Sequence, residues 1–163
     1  MPDIMLRPVA WVHNTRLTTE DDGWGGLVSE IALDPSLPEE SLNGLDEFSH
    51  AEIIFCFHLL DGSGIVYGTR HPRENPDWPK VGIFAQRGRL RPNRLGLTVV
   101  RILRREGRSL FVESLDAVDG TPVLDIKPVM EEFLPPGPVR QPDWSHALLK
   151  DYWNLHKDKI DDE

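Results

Sequence analysis

From Arg7 to Ile126 the chain repeatedly gathers β-branched and aromatic residues into short runs that stop at Gly, Pro or Asp/Asn clusters. The runs cover residues 7–13, 27–33, 50–59, 81–85, 97–103, 109–114 and 122–126. Such punctuation is that of short strands joined by turns. No helices of about 10–15 residues alternate with them, which disfavours a doubly wound parallel sheet. A mainly β fold is therefore expected, either a barrel or a curled sheet. Leu97–Leu103, a turn containing Gly107, and Ser109–Glu113 read as a hairpin, with Gly107 supplying the positive φ that such loops commonly need. At 163 residues the chain fits one domain with a real core.

The remaining segments read as connections. Residues 34–47 hold Pro35, Pro38 and Asn43-Gly44 and should form a turn or a short surface helix. Residues 61–79 read as a long loop, often a functional element in a compact domain. Pro135-Pro136-Gly137-Pro138 breaks the chain, so the expected organisation is a β domain over 5–134 and a Pro-rich break with a helical tail over 135–163. In that tail Asp143 could cap a helix carrying Trp144, Leu148, Tyr152 and Leu155 on one face. That stripe should dock on the β domain or on a second subunit.

Charge is unevenly distributed. The net charge is -9, yet from Arg70 to Arg108 eleven Lys or Arg stand against three acids, a segment of +8 in a remainder of -17. Local field rather than total charge steers a ligand, so this segment suits phosphate or another anion. Ion pairing with the acidic remainder is the plainer alternative, and charge alone leaves both open. No apolar run approaches the roughly 20 residues that span a bilayer. The N-terminus lacks a basic stretch followed by an apolar one, and a cytoplasmic location is expected.

Several motifs carry less than they first suggest. Asp22-Gly23-Trp24-Gly25-Gly26 lacks the preceding strand and following helix of a Rossmann phosphate turn, although its glycines would allow close backbone approach to a ligand. His50 and His58 on one strand would lie about 26 Å apart at about 3.3 Å per residue, too far to share an ion. With Cys-x-x-Cys and His-x-x-x-His spacings also absent, no metal is expected. Glu47-Phe48-Ser49-His50-Ala51 is not a nucleophile elbow. Cys56, the single cysteine, should be a small buried apolar residue. Asp119-Gly120 reads as a tight turn. The run Gly82 to Leu97 passes from a strand into an arginine-rich loop. Its guanidinium groups could bind carboxylate or phosphate through paired hydrogen bonds, with Pro92 stiffening their presentation.

Four phrases together carry a family likeness: Asp46-Glu47-Phe48-Ser49-His50; Val81-Gly82-Ile83-Phe84-Ala85-Gln86-Arg87; Arg91-Pro92-Asn93 with Leu95-Gly96-Leu97; and Leu115-Asp116-Ala117-Val118-Asp119-Gly120-Thr121-Pro122 continuing to Pro128. In order and spacing they resemble the TrmO/YaeB-like tRNA methyltransferases (TsaA-like domain), over roughly residues 6–129. The family's usual Arg-Pro-Asn-Pro-Ile-Gly-Leu has Arg94-Leu95 in place of Pro-Ile here.

The resemblance implies a single-sheeted β-barrel that binds S-adenosylmethionine and works as a homodimer. It implies N6 methylation of threonylcarbamoyladenosine at position 37 of tRNA. By position it places cofactor contacts at Gly25, Gly26, Leu27, Phe57, His58, Arg87 and the turn Asp116, Ala117, Val118, Asp119, Gly120. Arg89, Arg91, Asn93 and Arg94 are the expected substrate contacts. Asp119, His58 and Arg91 are the candidates for moving or polarising a proton, with no catalytic residue assigned. Two alternatives stay open: methyl transfer to a small metabolite or another RNA, and a module that binds cofactor or RNA without turnover.

Overall fold

The computed structural model describes residues 3–155. Six antiparallel strands close into a barrel: β1 (Ala10–His13), β2 (Val28–Leu33), β3 (His50–Cys56), β6 (Leu95–Glu106), β7 (Ser109–Glu113) and β8 (Pro122–Pro128), in the order β1-β2-β7-β6-β3-β8. The circle closes where Ala10 pairs with Val123 and Trp11 with Pro122. The mainly β, single-sheeted barrel is thus the fold adopted, and closure leaves no open sheet edge.

Alternation explains the closure. In β3 the residues Ala51, Ile53 and Phe55 are buried while their neighbours face outward. The same period in β1, β2, β7 and the first half of β6 supplies Val12, Ile31, Val112 and Val100 to one interior cluster. Close approach inside the barrel requires Gly96, since a Cβ there would stand 2.4 Å from the buried Phe55 ring. The β6–β7 hairpin turns at Gly107, whose φ is +55°. A register shift between Ile102 and Arg104 bends its long strand.

The connections depart from expectation in informative ways. Of 81–85 only Val81–Gly82 is strand (β5), paired with β4 (Thr69–Arg70) in a separate ribbon. Ile83–Ala85 tightens into a 3-10 turn. Residues 34–47 carry two 3-10 turns, Glu39–Leu42 and Leu45–Glu47. Cys56 is half-buried rather than interior, because it takes the opposite face of β3 from Phe55.

The tail helix is shorter than the apolar spacing suggests. α1 spans Asp143–Leu148, with Pro142 as its N-cap and no side-chain cap bond, so Asp143 is its first residue and not its cap. A helix this short has little intrinsic stability. Tyr152 and Leu155 lie beyond it, in a run of turns that ends at a single bridge from Leu155 to Gly25. Among the described residues no helix is long and apolar enough to cross a membrane.

Candidate functional site

The side of the barrel where β3 ends, β6 begins and the β7–β8 connection crosses collects most of the residues expected to bind ligand. Leu115, Ala117 and Thr121 in that connection are buried, so Leu115–Thr121 is held as a rigid span. It turns at Gly120, with φ +76° and a hydrogen bond from Thr121 N–H to the Val118 carbonyl at 3.2 Å. The expected Asp119-Gly120 turn is therefore present, and it leaves Asp116 and Asp119 partly exposed while Ala117 and Val118 point inward. Any contact from Ala117, Val118 or the buried Leu27 would be through backbone.

Asp116 is the centre of this side. Thr98 of β6 donates to one of its oxygens and the Tyr152 phenol donates to the other, both in short hydrogen bonds. A carboxylate offers about four lone-pair positions, so acceptor capacity remains. Burial, then the Asp116 charge, pushes the Tyr152 phenol above its usual range and keeps it a donor. Beside Asp116 opens a cavity of about 210 Å³ lined by Phe57, Phe84, Gln86, Arg87 and Arg91, with Phe55 and Gly96 also in its wall. Phe84 is 76% exposed at its mouth. The cavity thus combines aromatic faces, a carboxylate and two guanidinium groups. That donor set fits S-adenosylmethionine, whose methionyl carboxylate could pair with Arg87, its cationic groups with Asp116 and its adenine with an aromatic ring. A larger cavity of about 560 Å³ lies between residues 33–48 and 125–128, but no lysine or arginine lines it.

Asp119 faces a second cluster. Its Oδ1 accepts the Asn14 backbone N–H at 3.1 Å and lies 3.6 Å from His13 Nδ1. His58 stands across Gly120, where a Cβ would meet Nε2 at 3.8 Å. Burial lowers the His58 pKa, with Asp119 acting against it. His13 and Asn14 escaped sequence reasoning. Asn14 ties β1 to its neighbours by donating to Ser29 Oγ and to the Ala117 carbonyl, each at 2.9 Å.

The glycine loop is organised by a residue the sequence did not single out. Arg16 is 4% exposed, and its guanidinium donates to the carbonyls of Glu20, Asp22 and Gly23 at 2.8–2.9 Å. Gly26, with φ +68°, donates its N–H to Ser114 Oγ at 3.0 Å. Gly23, Trp24 and Gly25 meet the chain's own tail, donating to the carbonyls of Asp151 (3.3 Å), Tyr152 (2.9 Å) and Asn154 (2.9 Å). Trp24, Leu27 and Val118 form a small apolar cluster on which Tyr152 packs.

The basic segment divides between the two readings of its charge. Arg73 grips Asp22 with two hydrogen bonds of 2.9 and 2.6 Å, and Arg101 pairs with Glu113 at 2.7 Å. Arg105 reaches Glu39 at 3.5 Å, while Arg108 donates to the carbonyls of Asp34 and Leu37. The expected substrate arginines instead brace backbone. Arg89 donates to the Thr19 carbonyl (3.0 Å), Arg91 to Gln86 (2.8 Å) and Arg94 to Leu60 (2.7 Å); Arg87 donates to Leu97. Arg87 and Arg89 are exposed, Arg91 and Arg94 half-buried, and Asn93 is exposed with φ +64°. Such a cation, bonded to a carbonyl, retains its charge and spare donors for an incoming anion.

Comparisons with known proteins agree with this picture. The human tRNA (adenine(37)-N6)-methyltransferase is 40% identical over 105 residues, covering 64% of this chain and 23% of that protein. A probable S-adenosyl-L-methionine-binding protein of Pyrococcus abyssi is 40% identical over 135 residues, covering 80% of this chain and 70% of that one. A crystal structure of TrmO from Pseudomonas aeruginosa superposes with a TM-score of 0.70 at 26% identity, covering 88% of this chain and 62% of that chain. The chain spans about a quarter of the length of the mammalian relatives it matches. The family model described as the tRNA-methyltransferase O N-terminal domain matches residues 21–133, and the chain belongs to that family.

Proposed function

We propose that this chain is an S-adenosylmethionine-dependent methyltransferase acting on N6 of the threonylcarbamoyl-modified adenosine at position 37 of tRNA. The observation that carries this reading is the convergence of Phe57, Arg87 and Asp116 on one cavity, beside the turn that ends at Gly120. Those are positions assigned to the cofactor by likeness to the family. The named activities of the human relative and of TrmO support the acceptor. Arg87 and Asp116 would hold the cofactor's charged ends, and the backbone of Gly25–Leu27 and Ala117–Gly120 would complete its seat. When bound, S-adenosylmethionine supplies an electrophilic methyl group.

The rest falls to the chain's own side chains. The acceptor is a nitrogen with a delocalised lone pair, so alignment supplies much of the acceleration. Arg89, Arg91 and Arg94 on the loop after Arg87, together with Asn93, would fix phosphate and sugar and so set that alignment. Asp119, with His13 and His58 about it, can accept the proton leaving the nitrogen. His58 is suited to this because burial favours its neutral form. Asn14 holds Asp119 in place from the backbone side.

We further propose a cytoplasmic homodimer. Leu97 and Val99 leave an apolar outer face on β6 that a second copy could cover. Sedimentation of the purified protein checks this. The activity is tested with labelled S-adenosylmethionine and tRNA bearing unmethylated threonylcarbamoyladenosine. Label should appear in that nucleoside, and its absence there with transfer to another RNA or a metabolite would replace the acceptor named here.

A further inference from the structure

Tyr152 sits where the cavity and the glycine loop meet. On one side its ring packs with Trp24, Leu27 and Val118; at its tip the phenol donates to Asp116, which also lines the cavity. The residues around it extend this contact along the loop. The carbonyls of Asp151, Tyr152 and Asn154 take the successive N–H groups of Gly23, Trp24 and Gly25, and Leu155 forms a parallel bridge with Gly25. Approach is so close that a Cβ on Gly25 would lie 2.1 Å from the Trp153 carbonyl oxygen. The segment therefore fills a ligand-shaped position: an aromatic ring in an apolar slot, a hydroxyl on a carboxylate and carbonyl oxygens on a row of amides.

With the segment in place the open cavity is about 210 Å³. Small-molecule sites commonly measure about 300–1,000 Å³. The cavity reaches Phe57, Arg87 and Asp116, but neither Gly25–Leu27 nor Val118–Gly120 lines it. Asp116 links the two halves: it lines the cavity and accepts the Tyr152 phenol, whose ring packs on Trp24, Leu27 and Val118. The attachment is also light elsewhere. α1 contains no buried residue, and Asp151, Trp153, Asn154 and Leu155 are all exposed, so the hold consists mainly of one ring and a few hydrogen bonds. Elements with few buried contacts are those that open at low cost.

We propose that Asp151–Leu155 is an autoinhibitory strap that occupies part of the S-adenosylmethionine seat of its own chain and must leave before the cofactor binds. This rests on the cofactor reading given above. The docked strap lowers the competent fraction of the protein, and the apparent dissociation constant rises by the reciprocal of that fraction. A strap docked nine-tenths of the time weakens binding about tenfold.

The test uses the full chain and Tyr152→Ala, with calorimetry against S-adenosylmethionine and amide hydrogen exchange at Gly23, Trp24 and Gly25. Release of the strap should speed exchange at these three amides and tighten binding about tenfold or more. Unchanged or weaker binding by a variant whose amides have been freed would overturn the strap as a competitor and make it a wall of the site, while leaving the cofactor reading intact. If neither protein binds although those amides exchange freely, the cofactor reading itself fails, and the strap proposal falls with it. Should Tyr152→Ala fail to fold, Tyr152→Phe decides. It keeps the ring and loses only the bond to Asp116, so a smaller gain in affinity supports the strap, and no gain or a loss refutes it.

Discussion

The guanidinium carbon of Arg16 lies 3.6 Å from the centroid of the Trp24 indole, so a buried cation and an aromatic ring clamp the two ends of the loop that carries the glycines. Burial lowers the Arg16 pKa, with Glu20 partly offsetting it, yet an arginine starts so high that its charge is retained. Arg16→Ala removes the donor from the loop carbonyls of Thr18, Glu20, Asp22 and Gly23 as well as the ring contact. Leaving such acceptors unpaired should lower stability by about 2–4 kcal/mol, read as a lower midpoint in urea. Arg16→Lys should recover less than half of the loss, because one ammonium group cannot reproduce the planar fork.

Gly96 tests the packing of the barrel. Its φ is unexceptional, so alanine is acceptable to the backbone, but the added Cβ would stand 2.4–2.9 Å from three atoms of the Phe55 ring. Overpacking against a buried aromatic should cost about 1–3 kcal/mol. Phe55 also walls the cavity beside Asp116, so cofactor affinity should fall together with stability in Gly96→Ala. Thermal unfolding and calorimetry on one preparation read both effects.

The pH dependence turns on His58. Its pKa lies below the ordinary 6.5, chiefly through burial, so the folded protein resists protonation there. As pH falls below about 6.5 the unfolded chain binds the proton first, and this residue then removes stability; above that pH it contributes none. If neutral His58 assists proton removal, the acid limb of the methylation rate should have its midpoint below 6.5. An unchanged limb in His58→Gln would take His58 out of proton transfer and leave Asp119 with that role.

Arg89 provides the cleanest electrostatic probe. It is exposed, its hydrogen bond goes to the Thr19 carbonyl, and no carboxylate among the described residues pairs with it. Arg89→Glu should weaken tRNA association while leaving cofactor affinity unchanged. If it meets phosphate, the slope of log affinity against log salt should fall by about one. Equal slopes for variant and parent would remove the loop from the RNA surface.

Much of this molecule could be read along the chain because strand patterning is a local property. Alternation in residues such as Ala51, Ile53 and Phe55, with turn residues such as Gly107 and Asp119-Gly120, reports the faces of strands wherever they later pair. Local chemistry read Asp119-Gly120 as a tight turn and the glycine run as a loop open to close backbone approach, and only the family likeness grouped them with Arg87 as a site. It could not show how they meet. The helical stripe in the tail misled for a related reason: Trp144, Leu148, Tyr152 and Leu155 have helical spacing, but α1 ends at Leu148 and Tyr152 packs instead in the slot beside Trp24.

The amino-acid order by itself determined the β class, the β6–β7 hairpin and the arginine-rich segment suited to an anion, since each follows from a few neighbouring side chains, while cofactor positions were expected only through the family likeness. Only the tertiary structure decided that Arg16 is the buried organiser of the glycine loop, that most arginines in the +8 segment are tied to carbonyls or carboxylates, and that the tail lies against Gly25 and Asp116. Those relations join residues as far apart as Gly25 and Leu155, and nothing in local propensity encodes a partner that closure of the barrel brings near.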